Sequence, residues 1–554
     1  MNEALRRIHM QVMWNRLIAV VEEQAQALLH TAFGAITRVA GDLSAGVYDT
    51  GGRMLAQAVT GTPGHVNTMA AAVRHFLDRF PMATLRPGDV LVTNDPWFGT
   101  GHLFDFVVVT PVFRDGRPVG LFASTCHTPD VGGVGFSAEA RSVYEEGTCI
   151  PHLRLREQGV VDEKVFAIIM ANSRNPIEAR GDLLSLIACN DVGAARLADM
   201  MREFDLDAID ELARHILDTS REATREAIRR LPRGRYRTAM TLDGYESPIE
   251  LHACLDIGDG EITVDFAGSS PLSARGINSP RCYTEAYSVF GLKCIVAPAI
   301  PNNAGSLEPF AVLVEDGSCV APLRPAPVTA RHVIGQMLPD LMFGALAQAL
   351  DGRVPAESAG SIWVLPMAGQ RAGGRAFNVM NVGLGGTGAR PGKDGLNTTA
   401  FPSGVGVVPV EITEIESPLV FWVKEYLPDS GGPGEFRGGL GQRIEIGNSE
   451  AEPFTVGAGT FDRMRNPAAG RSGGRPGRNG AARLESGTAL VTKAVHTVPA
   501  GDRLVVELPG GGGVGDPARR APDRVAADVE SGLVSADGAA RDYGGAGGAG
   551  ARGA

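Results

Sequence analysis

The chain has 554 residues, of which 44% are hydrophobic and 21% are charged, and its formal net charge is −11. This composition is typical of a folded protein with about two to four domains, and the negative charge argues against a nucleic-acid partner, which needs clustered Lys and Arg. The sequence has no secretory signal, no apolar run long enough to span a membrane, and seven dispersed cysteines without a CxxC pair. We therefore expect a cytoplasmic protein with reduced thiols and no membrane association.

The N-terminal third predicts helices that flank a β-hairpin. Apolar residues recur at three- and four-residue steps through the first thirty residues, which indicates a long amphipathic helix. A short strand is expected at 42–49 and a helix at 65–80. The apolar, β-branched runs at 106–113 and 119–125 predict two strands, and Asp115-Gly116 between them is a hairpin turn signal.

The rest of the chain mixes both types of element. A helical region is expected at 181–230, and Pro232-Arg233-Gly234 ends it at a candidate domain boundary. Strands such as 262–266 follow, and the last third of the chain is dense in glycine and β-like. The closing residues are of low complexity and are predicted to be disordered.

Two glycine-rich motifs resemble nucleotide-binding loops but depart from them. The stretch 388–394 has three residues instead of four between its glycines, and Asp394 stands where Ser or Thr should bind magnesium. The stretch 510–515 follows a strand but precedes no convincing helix, and we interpret it as a wide turn. The chain is therefore expected to lack an ATP site of its own.

The most chemically suggestive residues flank the predicted hairpin. His102 and Asp105 stand just before its first strand, and His127 stands just after its second. With a two-residue loop Asp105 lies opposite Cys126, and with a three-residue loop and a bulge it lies opposite His127; directly opposed residues are about 5 Å apart at Cβ. Both registers gather the groups at one end of the sheet. Imidazole with carboxylate suits zinc, manganese or iron, although histidines at strand ends also make ordinary hydrogen bonds.

These observations together predict a mixed α+β, multi-domain fold with a long N-terminal helix, a domain that carries the hairpin and the metal site, and a Gly-rich, β-rich C-terminal region. The predicted units are an N-terminal α/β domain with the metal site at 1–232, a middle α+β region at 233–375, a Gly-rich, β-rich C-terminal region at 376–544, and a disordered tail at 545–554.

Many ordered segments resemble the hydantoinase B/oxoprolinase family, which includes the B subunits of N-methylhydantoinase and 5-oxoprolinase-type enzymes, and more distantly the large subunits of acetone carboxylases. The matching segments extend over roughly residues 1–545 and include Asp42-Leu43-Ser44, Asn94-Asp95-Pro96 through His102-x-x-Asp105, His127-x-x-Asp130-Val131-Gly132-Gly133, Glu145-Glu146-Gly147, Gly181-Asp182-Leu183, Ile300-Pro301-Asn302-Asn303-Ala304-Gly305, Pro325-Ala326-Pro327-Val328, Asp429-Ser430-Gly431-Gly432-Pro433-Gly434 and Gly532-Leu533-Val534-Ser535.

The resemblance implies a metal site made by Asp42, His102, Asp105 and His127. Two imidazoles and two carboxylates leave a coordination position open for water or substrate, as catalytic sites require. The expected cofactor is a divalent transition metal, namely zinc, manganese or iron. The sequence departs from the family in one respect: Gly99-Thr100-Gly101 stands where Gly-Gly-Thr is common before the first histidine.

The function that the resemblance implies is that of the metal-carrying B subunit of an ATP-dependent cyclic-amide hydrolase. Its substrates would be rings such as hydantoin, N-methylhydantoin or 5-oxoproline, which a hydantoinase A/oxoprolinase-type partner phosphorylates within a hetero-oligomer. We hypothesise that the metal generates the attacking hydroxide and that Asp130 or Glu146 serves as general base. For Asp130 the structural role of capping a turn is favoured over catalysis. His65 could face substrate, and a hydrogen bond at a helix start is at least as good an interpretation.

Two other functions compete with the hydrolase. The same scaffold could serve an ATP-dependent ketone carboxylase of acetone-carboxylase type, although those subunits are longer than this chain. A non-catalytic scaffold that stabilises the A subunit is the third alternative, and the intact set of candidate metal ligands argues against it.

Overall fold

The computed structural model describes residues 3–59, 61–360 and 362–544. Within them, helices are combined with four β-sheets, which confirms the predicted mixed α+β, multi-domain fold class. The tail predicted at 545–554 lies outside the described residues. Across the described part of the chain, every helix is either too short or too polar to cross a membrane.

An antiparallel seven-stranded sheet forms the N-terminal part, with the strand order β2-β1-β5-β4-β3-β6-β7. Its strands are β1 (Leu43–Tyr48), β2 (Met54–Gln57), β3 (Val90–Thr93), β4 (Asp105–Arg114), β5 (Arg117–His127), β6 (Leu153–Glu157) and β7 (Val160–Val161). Nearly all of β4 and β5 is buried. Strands that are covered on both faces carry continuous apolar runs instead of an alternating pattern, which explains the sequences of these two strands.

Helices cover both faces of this sheet. They are α1 (Glu3–Thr31), α2 (Ala35–Arg38), α3 (Pro63–Arg79), α4 (Val143–Glu146), α5 (Glu163–Ala171), α6 (Pro176–Glu203) and α7 (Asp210–Arg229). Helices α1 and α6 share a core with Phe122 on one face, and α3 packs near Val107 on the other. The long N-terminal helix is confirmed. The helical region predicted at 181–230 is formed by α6 and α7. The chain leaves α6 and reaches Asp205, whose φ of 52° cannot continue an α-helix, so the region is divided into two helices.

The hairpin between β4 and β5 combines features of both predicted registers. Arg114 pairs with Arg117 across a two-residue turn at Asp115-Gly116, where both φ angles are positive (49° and 77°), as type I′ turns require. A bulge then shifts the register between Val112 and Phe113. Because of this bulge, Asp105 lies opposite His127 at the far end of the hairpin.

A four-stranded sheet with the order β11-β10-β9-β8 follows, and it begins directly after the predicted boundary at 232. Its elements are β8 (Gly234–Leu242), β9 (Ile249–Ile257), β10 (Ile262–Asp265), α8 (Arg281–Val296), α9 (Ala304–Leu307), β11 (Phe310–Leu313), α10 (His332–Gly335) and α11 (Leu338–Ala349). Strand β9 alternates between buried and more exposed residues, and helices α8 and α11 pack on its buried face. The segment that leads from β11 through α10 returns to the seven-stranded sheet.

The C-terminal part contains two four-stranded sheets that share one core, with the orders β13-β12-β16-β18 and β14-β15-β19-β17. Its elements are β12 (Trp363–Gln370), β13 (Ala376–Gly383), α12 (Val410–Glu416), β14 (Leu419–Tyr426), β15 (Gln442–Asn448), β16 (Phe454–Gly457), β17 (Ala481–Leu484), β18 (Val495–Val498), β19 (Arg503–Glu507), α13 (Pro522–Glu530) and α14 (Ala536–Tyr543). The predicted boundary at 375 falls between β12 and β13, which pair along their whole length. This sheet therefore starts at Trp363, before that boundary.

The glycine run 510–513 does not form the predicted wide turn. Its N–H groups donate to the carbonyls of four separate residues, namely Arg478, Gly439, Glu357 and Arg475, and its own carbonyls accept from further segments. The run is thus enclosed by backbone on several sides, without belonging to a strand or helix. A Cβ atom on Gly511 would overlap the carbonyl oxygen of Thr387, so the close approach explains why glycine is required there.

Replacing Gly511 by Ala is expected to destabilise the protein by about 1–3 kcal/mol, because a backbone carbonyl must move to admit the methyl group. Gly373→Ala is the matched control, since Gly373 has no atom within 4 Å of the added Cβ and should change stability by less than about 0.5 kcal/mol. Denaturant unfolding of both variants measures the difference. Equal stabilities of the two variants would show that the segments around the glycine run 510–513 are loosely packed.

Candidate metal centre

Four predicted site residues lie at one end of the seven-stranded sheet. Asp105 is the first residue of β4 and His127 the last residue of β5, directly opposite each other. Asp42 immediately precedes β1, whose Leu43 pairs with Cys126. His102 lies in the loop before β4. The bulge and the order of β1, β5 and β4 in the sheet therefore bring together groups that are up to 85 positions apart in sequence.

One oxygen of the buried Asp105 carboxylate faces two imidazoles. Asp105 Oδ1 lies 2.9 Å from His102 Nε2 and 3.2 Å from His127 Nδ1. One ligand atom from each of these three residues lies within 4.8 Å of the other two, and all three side chains are buried. These distances are short enough for a single ion to be bound by all three groups.

The protonation of His102 tests whether a cation fits this site. His102 Nδ1 lies 3.0 Å from the carbonyl oxygen of Thr329, which can only accept, so Nδ1 carries the proton. Burial, assisted by the nearby Arg331, lowers the pKa of His102 to about 4, so the ring is neutral. Its Nε2 lone pair then points at a carboxylate oxygen. Two facing lone pairs repel, and a metal ion between them converts the repulsion into coordination.

The second oxygen of Asp105 is held by three other groups. Asp105 Oδ2 lies 2.7 Å from Arg331 Nη2, 2.7 Å from Thr100 Oγ1 and 2.9 Å from His65 Nε2. Thr100 and Gly101 are the two positions at which the sequence departs from the family's Gly-Gly-Thr pattern. Burial alone would raise the pKa of Asp105, but His102, His65 and Arg331 together hold it well below its usual range. The carboxylate is therefore ionised and fixed in orientation.

His65 connects the two predicted carboxylate ligands. It lies in the first turn of α3, with Nε2 on Asp105 and Nδ1 3.4 Å from Asp42 Oδ1. Burial disfavours its charged form, but the carboxylates of Asp105 and Asp42 outweigh this effect and raise the pKa of His65. Asp42 also accepts from Thr62 Oγ1 at 3.0 Å and lines the same cavity, although it lies outside the close group of three. The four-ligand set stays a prediction, with three members in mutual contact range.

Glu146 lies behind the site instead of facing the cavity. Its Oε1 accepts hydrogen bonds from the backbone N–H groups of Val328 and Thr329, the latter at 2.7 Å. The carbonyl of Thr329 in turn accepts from His102, so Glu146 fixes the backbone that orients this imidazole. Burial raises the pKa of Glu146 to about 7. A role as general base stays a prediction, and these contacts are those of a positioning residue.

Substitutions at Glu146 should separate its hydrogen bonds from its charge. Glu146→Ala leaves two buried N–H groups without acceptors and is expected to cost about 2–4 kcal/mol, whereas Glu146→Gln keeps an acceptor for both. Because the folded-state pKa lies above the ordinary value of 4.5, protonation stabilises the fold. The free energy of unfolding of wild type should therefore fall by about 1–3 kcal/mol relative to that of Glu146→Gln as the pH rises from about 5 to 8.

Denaturant unfolding at several pH values measures both effects. Glu145→Gln, at the exposed neighbouring position, is the control and should show no such pH dependence. If the unfolding free energies of wild type and Glu146→Gln differ by a constant amount across this pH range, the raised pKa of Glu146 is contradicted.

Asp130 is placed away from the cavity. Its Oδ1 accepts from Gly132 N at 3.2 Å and from Arg174 Nη1 at 2.7 Å, and the backbone N–H of Arg174 donates to its other oxygen. These contacts cap the turn that begins at Val131 and tie it to the segment before α6. A catalytic role for Asp130 stays a prediction, and the turn-capping alternative describes its observed partners.

The site also contains residues that the sequence did not suggest. Tyr283, Arg331 and His332 line the cavity with the predicted histidines, and the Arg331 guanidinium lies 4.2 Å from the centre of the Tyr283 ring. They follow β10 and β11 in the chain, more than 150 positions after His127. The segment Pro325-Ala326-Pro327-Val328, which ends just before Thr329, is the one sequence signal that could have pointed to this part of the site.

The cavity is enclosed by three parts of the chain. The end of the seven-stranded sheet supplies Asp42 and the histidines, the α8 and α10 segments supply Tyr283 and Arg331, and the first C-terminal sheet supplies apolar side chains such as Val382. The candidate metal ligands thus lie at the wall of a pocket that is polar on one side and apolar on the other. A pocket of this kind can hold a small organic molecule beside a metal.

Comparison with known proteins agrees with this architecture. A family model described as hydantoinase B/oxoprolinase matches residues 6–517, which is most of the chain. A relative from Pseudomonas sp. (strain NS671), named as the B subunit of a D-/L-hydantoinase, is 27% identical over 566 residues. That alignment covers 97% of this chain and 94% of the relative.

Two solved structures share the fold. The crystal structure of ATP-dependent caprolactamase from Pseudomonas jessenii superposes with a TM-score of 0.89 at 26% identity, covering 97% of this chain and 96% of that chain. A nucleotide-free structure of acetone carboxylase superposes with a TM-score of 0.83 at 20% identity, covering 96% and 79% respectively. The second likeness is one of fold alone.

Proposed function

This chain belongs to the hydantoinase B/oxoprolinase family, and from that premise we propose that it is the metal-carrying subunit of an ATP-dependent hydrolase of cyclic amides. The observation that carries the proposal is the buried group formed by His102, Asp105 and His127, in which a neutral imidazole nitrogen faces an ionised carboxylate. This donor set fits a divalent transition metal and lies at the wall of a cavity that has both polar and apolar lining residues.

His102, Asp105 and His127 would hold the ion, with Asp42 as the fourth ligand that the family resemblance implies. When bound, such an ion lowers the pKa of a water molecule or polarises a carbonyl group. Thr329 fixes the tautomer of His102. Because Arg331 and Thr100 both bind Asp105 Oδ2, Oδ1 remains directed at the two histidines.

His65 is the residue to which we assign proton transfer. Its Nε2 is bound to Asp105, while its Nδ1 faces Asp42 and has no hydrogen-bond partner among the described residues. An imidazole between two carboxylates can accept a proton from an attacking water and return it to the ring nitrogen as the C–N bond breaks. Glu146 and Asp130 would then support the site through the backbone instead of acting on the substrate.

The ATP chemistry is assigned to a hydantoinase A/oxoprolinase-type partner in a hetero-oligomer. A ring amide is a poor electrophile, and phosphorylation of its oxygen activates the carbonyl carbon towards water. In this chain the motif 388–394, which resembles a nucleotide-binding loop, is a turn whose backbone closes between Arg390 and Lys393. Its Asp394 is bound by Arg520 and Arg524. It is therefore not available as a phosphate-binding loop. The caprolactamase that shares the fold is described as ATP-dependent, and the hydantoinase relative is named as one subunit of its enzyme.

We also place the chain in the cytoplasm as part of this proposal. All seven cysteines are free thiols, and a chain with so many unpaired thiols suits a reducing compartment.

Co-expression with an A-type partner tests the proposal. ADP release and ring opening would be measured on hydantoin, N-methylhydantoin, 5-oxoproline and a simple lactam, each with and without bicarbonate. Ring opening that requires ATP, metal and both subunits, and that ignores bicarbonate, is the expected result. Turnover of a ketone only in the presence of bicarbonate would support the carboxylase alternative. Full activity of a metal-free assembly would support the non-catalytic scaffold alternative.

A further inference from the structure

The cavity beside the metal centre has an apolar wall opposite the histidines. Its side chains come from β12, β13 and the segment that precedes α12, and they include Val364, Met380, Val382, Val405 and Val408. This wall is assembled from the first C-terminal sheet. It therefore belongs to a different part of the fold from the polar side, which lies at the end of the seven-stranded sheet.

The alternation along β13 shows that its two wall residues, Met380 and Val382, lie outside the core that the C-terminal sheets share. Phe377 and Val379 are buried in the core shared by the two C-terminal sheets. Met380 and Val382, with side chains two residues apart on one face, are only half-buried and line the cavity. The open face of a sheet normally carries polar residues. Two large apolar side chains in that position indicate that the cavity receives an apolar part of a ligand.

The cavity supplies very little positive charge of its own. Among the residues that the structure describes, Arg331 is the one lysine or arginine that lines it. Its Nη2 is bound to Asp105 and its Nε donates to the carbonyl oxygen of Thr100 at 2.8 Å, so at most one nitrogen remains for a ligand. Asp42 adds a further negative charge. Besides a bound divalent metal, Arg331 is therefore the one permanently charged cation that the described lining offers to a ligand.

A neighbouring cavity has a similar charge character. It shares Ile36, Phe136, Met380 and Val408 with the first, so these side chains lie between the two. Its charged lining residues are Glu178, Glu416, Arg38 and Asp130, and the last of these is bound by Arg174. The described residues around this cavity therefore offer a ligand no surplus of positive charge.

We propose that this cavity selects rings without an ionised substituent, such as simple lactams and alkyl-substituted hydantoins, over rings that carry a carboxylate, such as 5-oxoproline, and that Met380 is a specificity-determining residue. The inference rests on the proposed function, because the activated amide already brings one anionic phosphate group. A ring carboxylate would be the second anionic group, and it would lie against the apolar wall without a positively charged partner.

A matched substrate pair tests the inference. The compounds 2-pyrrolidinone and 5-oxoproline have the same five-membered lactam ring and differ in one carboxylate. The complex of this chain with its A-type partner should turn over 2-pyrrolidinone with a kcat/KM at least about tenfold higher, since leaving one charged group unpaired costs roughly that factor or more. A wild-type complex that prefers 5-oxoproline, or that treats both rings alike, would overturn the inference.

A matched pair of variants tests the residue. Met380→Lys places a cation on the apolar wall with a side chain of similar length, and it should raise the 5-oxoproline to 2-pyrrolidinone ratio of kcat/KM by about tenfold. Met380→Gln is similar in length and uncharged, and it should leave that ratio within about twofold of wild type. Equal ratios in the Lys and Gln variants would remove Met380 as a specificity determinant.

Binding separates a failure of this inference from a failure of the proposed function. If no ring is opened with ATP and both subunits, the hydrolase proposal fails. Affinities of the metal-loaded chain for 2-pyrrolidinone and 5-oxoproline, measured by ligand-detected NMR titration with saturating inorganic phosphate as the first anionic group, then decide the inference alone. Tighter binding of the neutral ring supports it. Equal binding, tighter binding of 5-oxoproline, or binding of neither ring overturns it.

Discussion

His102→Ala is expected to bind a divalent transition metal at least about 100-fold more weakly than wild type, and ring opening by the assembled complex should fall by a similar factor or more. Replacing a group that only orients a metal ligand typically weakens binding by about 10–100-fold, so the loss of a ligand should exceed that range. His102 also contributes the neutral Nε2 lone pair that faces Asp105 at 2.9 Å. Its removal therefore eliminates a donor and the contact that draws a cation into the site.

The measurement is metal content after chelation, reloading with zinc, manganese or iron, and removal of free ion. His75→Ala is the matched control, because His75 lies on α3 like His65 but its side chain is 40% exposed and contacts Asp78 at the surface. Wild type and His75→Ala should retain about one ion per chain, and His102→Ala should retain little. Equal and negligible metal in wild type and His102→Ala would remove the metal site.

The parts of the fold that the sequence predicted are those determined by local patterns. Helix α1 follows from its three- and four-residue apolar spacing, and β4 and β5 follow from their β-branched runs. The hairpin turn follows from Asp115-Gly116, where the backbone needs two positive φ angles. The helical region predicted at 181–230 is also present, but its division into α6 and α7 was not predicted, because composition does not reveal the left-handed conformation of Asp205.

The register of the metal site depended on a feature that the sequence left open. A two-residue turn alone would have placed Cys126 opposite Asp105. The bulge between Val112 and Phe113 adds one residue to β5 and brings His127 to that position. Bulges depend on the packing of neighbouring strands and helices around them, so neither the turn residues nor the apolar pattern identified this one.

The remaining site residues could not be predicted from the sequence, because they come from segments that are distant along the chain. Arg331 lies 226 positions from Asp105, and no period or spacing relates the two residues. The apolar wall comes from β13 and the segment after it, where Met380 and Val382 look like ordinary strand residues until the cavity beside them is known. The structural role of the glycine run 510–513 likewise depends on its backbone contacts with other segments, which its own sequence does not reveal.

Arg331→Met is expected to destabilise the metal-free protein by about 3–5 kcal/mol, because it leaves the buried charge of Asp105 without its guanidinium partner. The two side chains are 4% and 0% exposed, and their atoms lie 2.7 Å apart. A bound divalent cation would compensate the same charge. Metal should therefore stabilise Arg331→Met more than it stabilises wild type, and the variant should bind the ion more tightly once a competing positive charge has been removed.

Denaturant unfolding with excess metal and with chelator measures this difference directly. Arg235→Met is the matched control, since Arg235 pairs with Asp256 at the surface, where the two side chains are 67% and 46% exposed. It should cost no more than about 1 kcal/mol and leave the effect of metal unchanged. Arg331→Lys keeps the charge but cannot reproduce the forked contacts with Thr100 and Asp105, so its metal response should lie between those of wild type and Arg331→Met. Identical metal responses in all four proteins would mean that Asp105 does not share its charge between Arg331 and a metal ion.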